Sequence, residues 1–498
     1  MKPSTSSPEA LRLVPPVRRV LMTADTVGGV WSYALELCRA LCLRGVCVEL
    51  ATLGAPLSDA QWEEARALPG LTVHESTWRL EWMDAPWDDV RAAGEWLLAL
   101  EARLSPDVVH LNGYCHGAWP FRAPVLVVAH SCVLSWWEAV KGGAAPARYH
   151  RYREEVAKGL HAASVVVAPT RAMLDAIERH YGDLHPLRGA PNAGRTEDVA
   201  PKPAHDSAPH ARALPAARGA PAVDRLKGVA TEQARASVPD ARALPAARGT
   251  PNAGLAEDVA PGQSDESAPR TRALPAARRA PRAGLAEDVA PKPAHDSAPH
   301  ARAFPSARVI PNARCATRFP PSRKERFVLA AGRLWDEAKN LAALEAAAPQ
   351  LPFPVHVAGD ALHPEGGAVA ETRSTRPLGH LPPSVLAQWM ARAPVYALPA
   401  RYEPFGLSAL EAALAGCALV LGDIPSLREV WGDAARFVPP DDSHALARTL
   451  RFLMDHPRER EALAARGRER ALTFTPDRMA EAYLELYASL ARLEHRVS

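Results

Sequence analysis

A chain of 498 residues has room for roughly two to four domains, and a formal charge of +3 gives no reason to expect a nucleic-acid partner or a strongly membrane-seeking surface. The seven cysteines are an odd set without a CxxC pair and fall mostly in apolar segments, so they read as free buried thiols of a reducing compartment, not as a disulfide frame or zinc site. No apolar run is long enough to cross a bilayer and M-K-P-S-T-S-S-P-E-A-L-R lacks an apolar signal core; the expectation is a soluble, cytoplasmic protein.

Val17 to Ala24 is predicted as the opening strand. It runs into Asp25-Thr26-Val27-Gly28-Gly29-Val30-Trp31 and a helix to about Arg44. Two glycines at a strand-to-helix turn let a phosphate or sugar approach the backbone, although a tight turn without a ligand is the plain alternative. The pattern is not G-x-G-x-x-G, which weighs against a nicotinamide-type site. Strands at Val46 to Leu53, Leu71 to Glu75, Asp107 to Leu111, Pro124 to Ala129 and Ser164 to Ala168 alternate with helices at Trp87 to Leu104 and Arg171 to Tyr181, the pattern of a doubly wound α/β domain. His110-Leu111-Asn112-Gly113 and His130-Ser131 stand where strands run out, the side that faces a cleft in such folds. Val140 to His161, with Lys141, Arg148, Arg151, Arg153 and Lys158 among Glu154 and Glu155, reads as a solvated helix face or a weak contact with lipid head groups or an anionic acceptor.

From Gly189 to Arg308 the composition changes. A-L-P-A-A-R occurs at 213–218, 243–248 and 273–278, and A-F-P-S-A-R at 303–308, a 30-residue repeat. The tract is dense in Ala, Pro and Arg, and Phe304 is its one aromatic residue; it has too little large apolar surface to offset its ordering entropy and is expected to be a disordered insertion. A partner-binding role for it stays open. Removing 189–308 joins Arg188 to V-I-P-N and restores a strand; lengthening such a loop by so much costs only ~3 kcal/mol of closure entropy.

Phe327 to Ala331 is the next predicted strand, followed by Gly332-Arg333-Leu334-Trp335-Asp336-Glu337-Ala338-Lys339-Asn340. Arg333 and Lys339 across that turn can converge on a diphosphate, Arg as a fork and Lys as a point charge, or can be two solvated cations. Pro354 to Gly359 is a strand ending at Asp360, and Leu378 to Leu381 precedes a helix from about Pro383. Ala393 to Asp423 forms a strand-loop-helix-strand unit: Val395 to Leu398, a loop through Phe405, a helix from Gly406 to Ala415, then Ala418 to Leu421. It sets Glu403 and Glu411 beside a helix start, where Gly406 leaves room for a ligand; Ser408 to Glu411 could instead be a capping box. Asp423 to Glu429, a strand at Ala435 to Val438, and helices at Ser443 to Met454, Arg458 to Leu472 and Pro476 to His495 complete the chain.

E-P-F-G-L-S-A-L-E (403–411) on its strand-flanked helix, together with G-R-L and Lys339-Asn340, resembles the signature of GT-B glycosyltransferases, above all the large retaining family 4. The resemblance implies two facing Rossmann-like domains, 17–188 on the acceptor side and 309–475 on the nucleotide-sugar side, with 476–498 returning to the first. It implies that Arg333 and Lys339 neutralise a leaving nucleoside diphosphate, that Glu411 accepts from ribose hydroxyls, and that Glu403, the amides of Phe405, Gly406 and Leu407, and His130 hold the sugar near Gly28 and Gly29. The 378–381 loop would lie against the base. The substrates implied are a UDP- or GDP-sugar and a glycan, lipid-linked or small-molecule acceptor. No D-x-D occurs, so no metal or other cofactor is expected, and cations and helix dipoles must serve instead. Glycogen synthases carry a lysine before the Gly-Gly turn; T-A-D-T-V-G-G does not, which counts against glucan extension. The rivals are a glycosidase, a sugar-nucleotide epimerase of the same architecture, and a catalytically silent binding module whose repeat is the working part. Two glutamates on one helix at this spacing would stand ~12 Å apart, beyond the ~5–9.5 Å that hydrolases use.

Overall fold

Runs such as V-V-V-A and V-Y-A-L are apolar at every position because their strands are covered on both faces, which parallel sheets with crossover helices require. A computed structural model describes residues 17–182, 185–186, 306–363, 366 and 371–494. In the first lobe the strands are β1 (Arg19–Asp25), β2 (Cys47–Leu53), β3 (Leu71–His74), β4 (Val108–Leu111), β5 (Val125–Val128), β6 (Val165–Ala168), β7 (His185–Pro186) and β8 (Ser306–Val309). They pair in parallel in the order β3-β2-β1-β4-β5-β6-β8-β7. In the second lobe β9 (Val328–Ala331), β10 (Val355–Ala358), β11 (Arg376–Gly379), β12 (Val395–Leu398), β13 (Ala418–Gly422) and β14 (Arg436–Val438) pair in parallel as β11-β10-β9-β12-β13-β14.

Both sheets reverse their direction of growth at their centre, between β1 and β4 and between β9 and β12. At such a reversal the flanking crossover helices go to opposite faces, and the crevice beyond the strand ends takes the ligand. The sequence places Gly28, Asn112 and His130 beyond β1, β4 and β5, and Arg333 and Glu403 beyond β9 and β12. The site therefore follows from topology before any side chain is considered.

Three features differ from expectation. The last three residues of the expected 189–308 insertion, Ser306 to Arg308, belong to β8, because the fourth repeat copy runs directly into Val309-Ile310 and Ala307 is buried against β6; residues 187–305 lie outside the described residues. Arg376–Gly379 is an edge strand and not merely a loop, paired to β10 across a register irregularity. All seven thiols are free, but only Cys38, Cys115, Cys132 and Cys417 are buried, while Cys47 is exposed at the start of β2.

The helix Pro476–Glu494 leaves the second lobe and completes the core of the first. Met479, Ala480, Tyr483, Tyr487 and Leu490 join Tyr33, Leu37 and Leu41 of the helix Gly29–Cys42. Tyr33 and Tyr483 share a hydroxyl hydrogen bond of 2.7 Å, and Arg44 pairs with Asp477. Among the described residues no helix is long and apolar enough to cross a membrane.

Candidate active site

The chain leaves β9 through Gly332 and presents Arg333. Its Nη2 donates to Asp336 Oδ2 at 2.8 Å, and its guanidinium lies 5.2 Å from the Trp335 ring centre. Asp336 is buried and accepts further hydrogen bonds from Trp136 Nε1 of the first lobe (2.9 Å) and from the Ala338 amide (3.0 Å). Burial alone would raise its pKa; the charges of Arg333 and Lys339 outweigh that and hold it below the usual carboxylate range. Lys339 pairs with Glu403 Oε2, while Glu403 Oε1 accepts from the Gly406 amide at 2.9 Å and lies 3.5 Å from that of Phe405. Arg333, Lys339 and Glu403 are thus drawn into one chain of charges. The Phe405 and Gly406 amides, expected to face a sugar, are directed at Glu403.

Gly406 has φ +90°, so the backbone demands glycine, and a Cβ there would sit a tight 3.2 Å from the Leu427 side chain. The helix Leu407–Leu414 that follows has Gly406 as its N-cap and no side-chain cap. Glu411 therefore caps nothing; its Oε1 lies 2.6 Å from Arg314 Nη2. Leu407 packs against the first lobe's core, and a Cβ on Gly29 would meet it at 3.8 Å. Gly28, at φ +117°, would bring a Cβ within 3.6 Å of Arg333 Nη1. The glycine turn of one lobe thus abuts the cation and the helix start of the other.

Behind that turn lies a polar cluster. Asn112 Nδ2 donates to the Thr23 carbonyl at 2.6 Å, which leaves Asn112 Oδ1 as an acceptor. His130 Nε2 (2.8 Å) and His110 Nε2 (3.3 Å) both reach that oxygen, so both rings carry their proton on Nε2. Nδ1 of His110 then accepts from the Tyr487 hydroxyl at 2.6 Å, and Nδ1 of His130 is an acceptor. Burial pushes both histidines down to about 3, with His130 adding repulsion at His110, so both are neutral near pH 7. Asp25, at the end of β1, is moved the other way. Although its surface is only partly covered, desolvation dominates over the Val27 amide and Arg333 and pushes it up to about 7.

Between these groups opens a cavity of about 640 Å³, walled by the first lobe from Thr23 to Tyr152 and by Arg333 to Glu337 and His363 of the second. The basic stretch 140–161 contributes to it and does not form a uniform solvated face. Lys141 bridges to Glu337, Arg148 lines the cavity, and Arg151 lies over Trp87.

Two functional candidates escaped sequence reasoning. Asp336, between Arg333 and Lys339 in the same turn, could have been found as the anion two neighbouring cations need. Arg314 could not. It follows β8, yet it reaches the Ser32 carbonyl at 2.9 Å across 282 positions and binds Glu411, which then carries a partner from the interlobe segment.

A model described as Glycosyl transferases group 1 matches residues 325–456, and one described as Glycosyltransferase Family 4 matches residues 27–193. Glycogen synthase of Mycobacterium tuberculosis is 36% identical over 127 residues, 25% of this chain and 31% of that protein. Phosphatidyl-myo-inositol mannosyltransferase of Mycolicibacterium smegmatis is 35% identical over 160 residues, 30% of this chain and 41% of that protein, so the matches span well under half of these relatives. Sucrose-phosphate synthase of Thermosynechococcus elongatus superposes with a TM-score of 0.60 at 16% identity, covering 97% of this chain and 100% of that one. Anabaena HepE, solved in complex with UDP-glucose, gives 0.56 at 14%, covering 95% and 99%. Structural likeness at such identity speaks for the two-lobed fold, while the two models fall one on each lobe, over the residues that build the cleft. The chain belongs to the group 1 glycosyltransferases of GT-B architecture.

Proposed function

We propose that the protein is a retaining transferase that moves a hexose from a UDP- or GDP-sugar to an acceptor bound by the first lobe, without a metal ion or other cofactor. The observation that carries this reading is the abutment of Gly28 on Arg333, beside the Lys339–Glu403 pair at the ends of β9 and β12. A diphosphate entering there exchanges the pairings of Arg333 with Asp336 and of Lys339 with Glu403 for its own oxygens. As the bond from sugar C1 to the diphosphate breaks, negative charge grows on the leaving group and both cations stabilise it. Glu403, relieved of Lys339, accepts from sugar hydroxyls. Glu411 has lone pairs enough to take ribose hydroxyls while holding Arg314. His130, neutral with Nδ1 as its acceptor, orients a sugar hydroxyl and is too weak a base to take up a proton near pH 7.

Removing one preorganised charge partner of a transition state costs ~10²–10³-fold. Arg333→Ala should lower kcat/KM by at least that much, and because Arg333 is more than a third exposed, Tm should barely move. The assay is nucleotide release from a UDP- and GDP-sugar panel first ranked by thermal shift. Near-wild-type turnover in Arg333→Ala would remove the assignment.

A further inference from the structure

The donor chemistry leaves much of the cavity unexplained. Trp82, Trp87, Trp136, Trp335 and Tyr149 line it, all partly exposed. Several are fixed by one edge or face: Trp136 donates its indole N–H to Asp336, Trp82 hydrogen-bonds Asp25, and Trp335 lies under Arg333. His363 also lies against Trp335, Arg151 over Trp87 and Arg148 over Tyr149; the uncovered surface of Trp82 is a broad, rigid apolar plane that suits the C–H face of a pyranose ring, at little entropic cost.

The charges between these rings narrow the choice. Five carboxylates line the cavity (Asp25, Glu81, Asp84, Asp336 and Glu337); Lys141 pairs with Glu337, and of the arginines Arg79, Arg148 and Arg333 the last is taken by the donor. Glu81 is held rigidly by the Tyr114 and Cys115 amides at 3.0 and 2.8 Å. A phosphorylated acceptor would bring its anion among these carboxylates, whereas sugar hydroxyls can donate to them. A volume of about 640 Å³ lies within the range for a ligand of several rings.

We propose that this aromatic, acid-rich half of the cavity is the acceptor site, and that the acceptor is a neutral glycan stacked on Trp82 with a hydroxyl donating to Glu81. The proposal rests on the transferase reading. In the transfer step an acceptor hydroxyl oxygen bonds to sugar C1 as the bond from C1 to the diphosphate oxygen breaks. The nucleoside diphosphate leaves with that electron pair, and the hydroxyl proton passes to it.

The test is tryptophan fluorescence of the full chain titrated with neutral malto-, cello- and manno-oligosaccharides, glucose 6-phosphate and phosphatidylinositol vesicles, with UDP and GDP binding measured on the same samples. Saturable quenching by at least one neutral oligosaccharide is expected, weakened about tenfold in Trp82→Ala and about as in wild type in Trp82→Phe. Quenching only by glucose 6-phosphate or vesicles overturns the proposal, as does quenching indifferent to Trp82→Ala, or none by the neutral set in protein that binds nucleotide. Failure to bind either nucleotide strikes the transferase reading instead.

Discussion

Replacing Arg314 with methionine should destabilise the protein by ~3–5 kcal/mol, the cost of leaving a buried carboxylate without its cation. Arg314 is 7% exposed, and its Nη1 lies 3.5 Å from Glu36 Oε2, whose side chain is fully covered. Neither Glu36 oxygen accepts a hydrogen bond among the described residues. At that separation, with an effective dielectric constant of ~20, the pair attracts by ~5 kcal/mol. Arg318, 3.7 Å away and more than a third exposed, recovers part of this. In a chain of this size ~4 kcal/mol lowers Tm by roughly 5 °C. If the damage comes from the stranded charge, Glu36→Gln in the Arg314→Met background should restore much of it, with a coupling of ~2 kcal/mol. The assay is calorimetry of the two single variants and the double variant at pH 7. Additive losses would refute the electrostatic account and make Arg314 a packing residue.

The buried histidines make stability acid-sensitive. An unfolded chain takes up protons near pH 6.5 whereas folded His110 and His130 do so only at about 3, so stability present above pH 6.5 is lost as pH falls toward 3; His110→Gln with His130→Gln should flatten the Tm curve over that window. Asp25, pushed up to about 7, acts in the opposite sense from pH 7 down to its ordinary range near 4, so Asp25→Asn should steepen the loss, and an unchanged slope in either variant counts against these assignments. Gly28→Val adds a branched side chain at φ +117° against Arg333 and should reduce turnover at least tenfold, with retention of full activity excluding the contact. Deleting 189–308 should keep fold and activity, since Leu187-Arg188 stand in the repeat where Ala307-Arg308 stand; the larger leucine at a buried site costs ~1–3 kcal/mol, and loss of soluble protein or of turnover would show that the tract is needed.

Strands and motifs were legible where their cause is local. Val165 to Ala168 is apolar throughout because both faces are covered, and G-R-L…K and E-x7-E place their charges within one turn or loop. What escaped is set by partners distant in the chain or by short edges. The helix Asp59–Arg66 has a Ser58–Gln61 capping box but buries only Ala65, so no apolar stripe announced it. Edge strand Arg376–Gly379 is largely exposed and includes a proline. The meeting of Asn112 with two histidines and Thr23 arises from the β1–β4–β5 order, and the aromatic wall gathers residues from three separate stretches of the chain. Neither has a signature in sequence spacing.

The repeat shows how such distant partners decide local structure. The first copy of the duplicated strand supplies β7 and the last supplies β8, paired in parallel with His185 opposite Ser306 and Pro186 opposite Ala307. On their shared motif the copies are close to equivalent, so the motif cannot decide which one takes the inner place beside β6. The residues after it can. The last copy continues as Ile310, Asn312 and Arg314, all buried; the corresponding positions are Ala190, Asn192 and Gly194 in the first copy and Thr250, Asn252 and Gly254 in another. Only the last copy therefore brings a large apolar side chain to the first lobe's core and a cation to Glu36 and Glu411. Arg314 is in this sense both the partner of a candidate ribose-binding glutamate and the residue that ties the closing strand of one lobe to the helix of the other. Changes to it should be felt at the strand choice and at the donor site together.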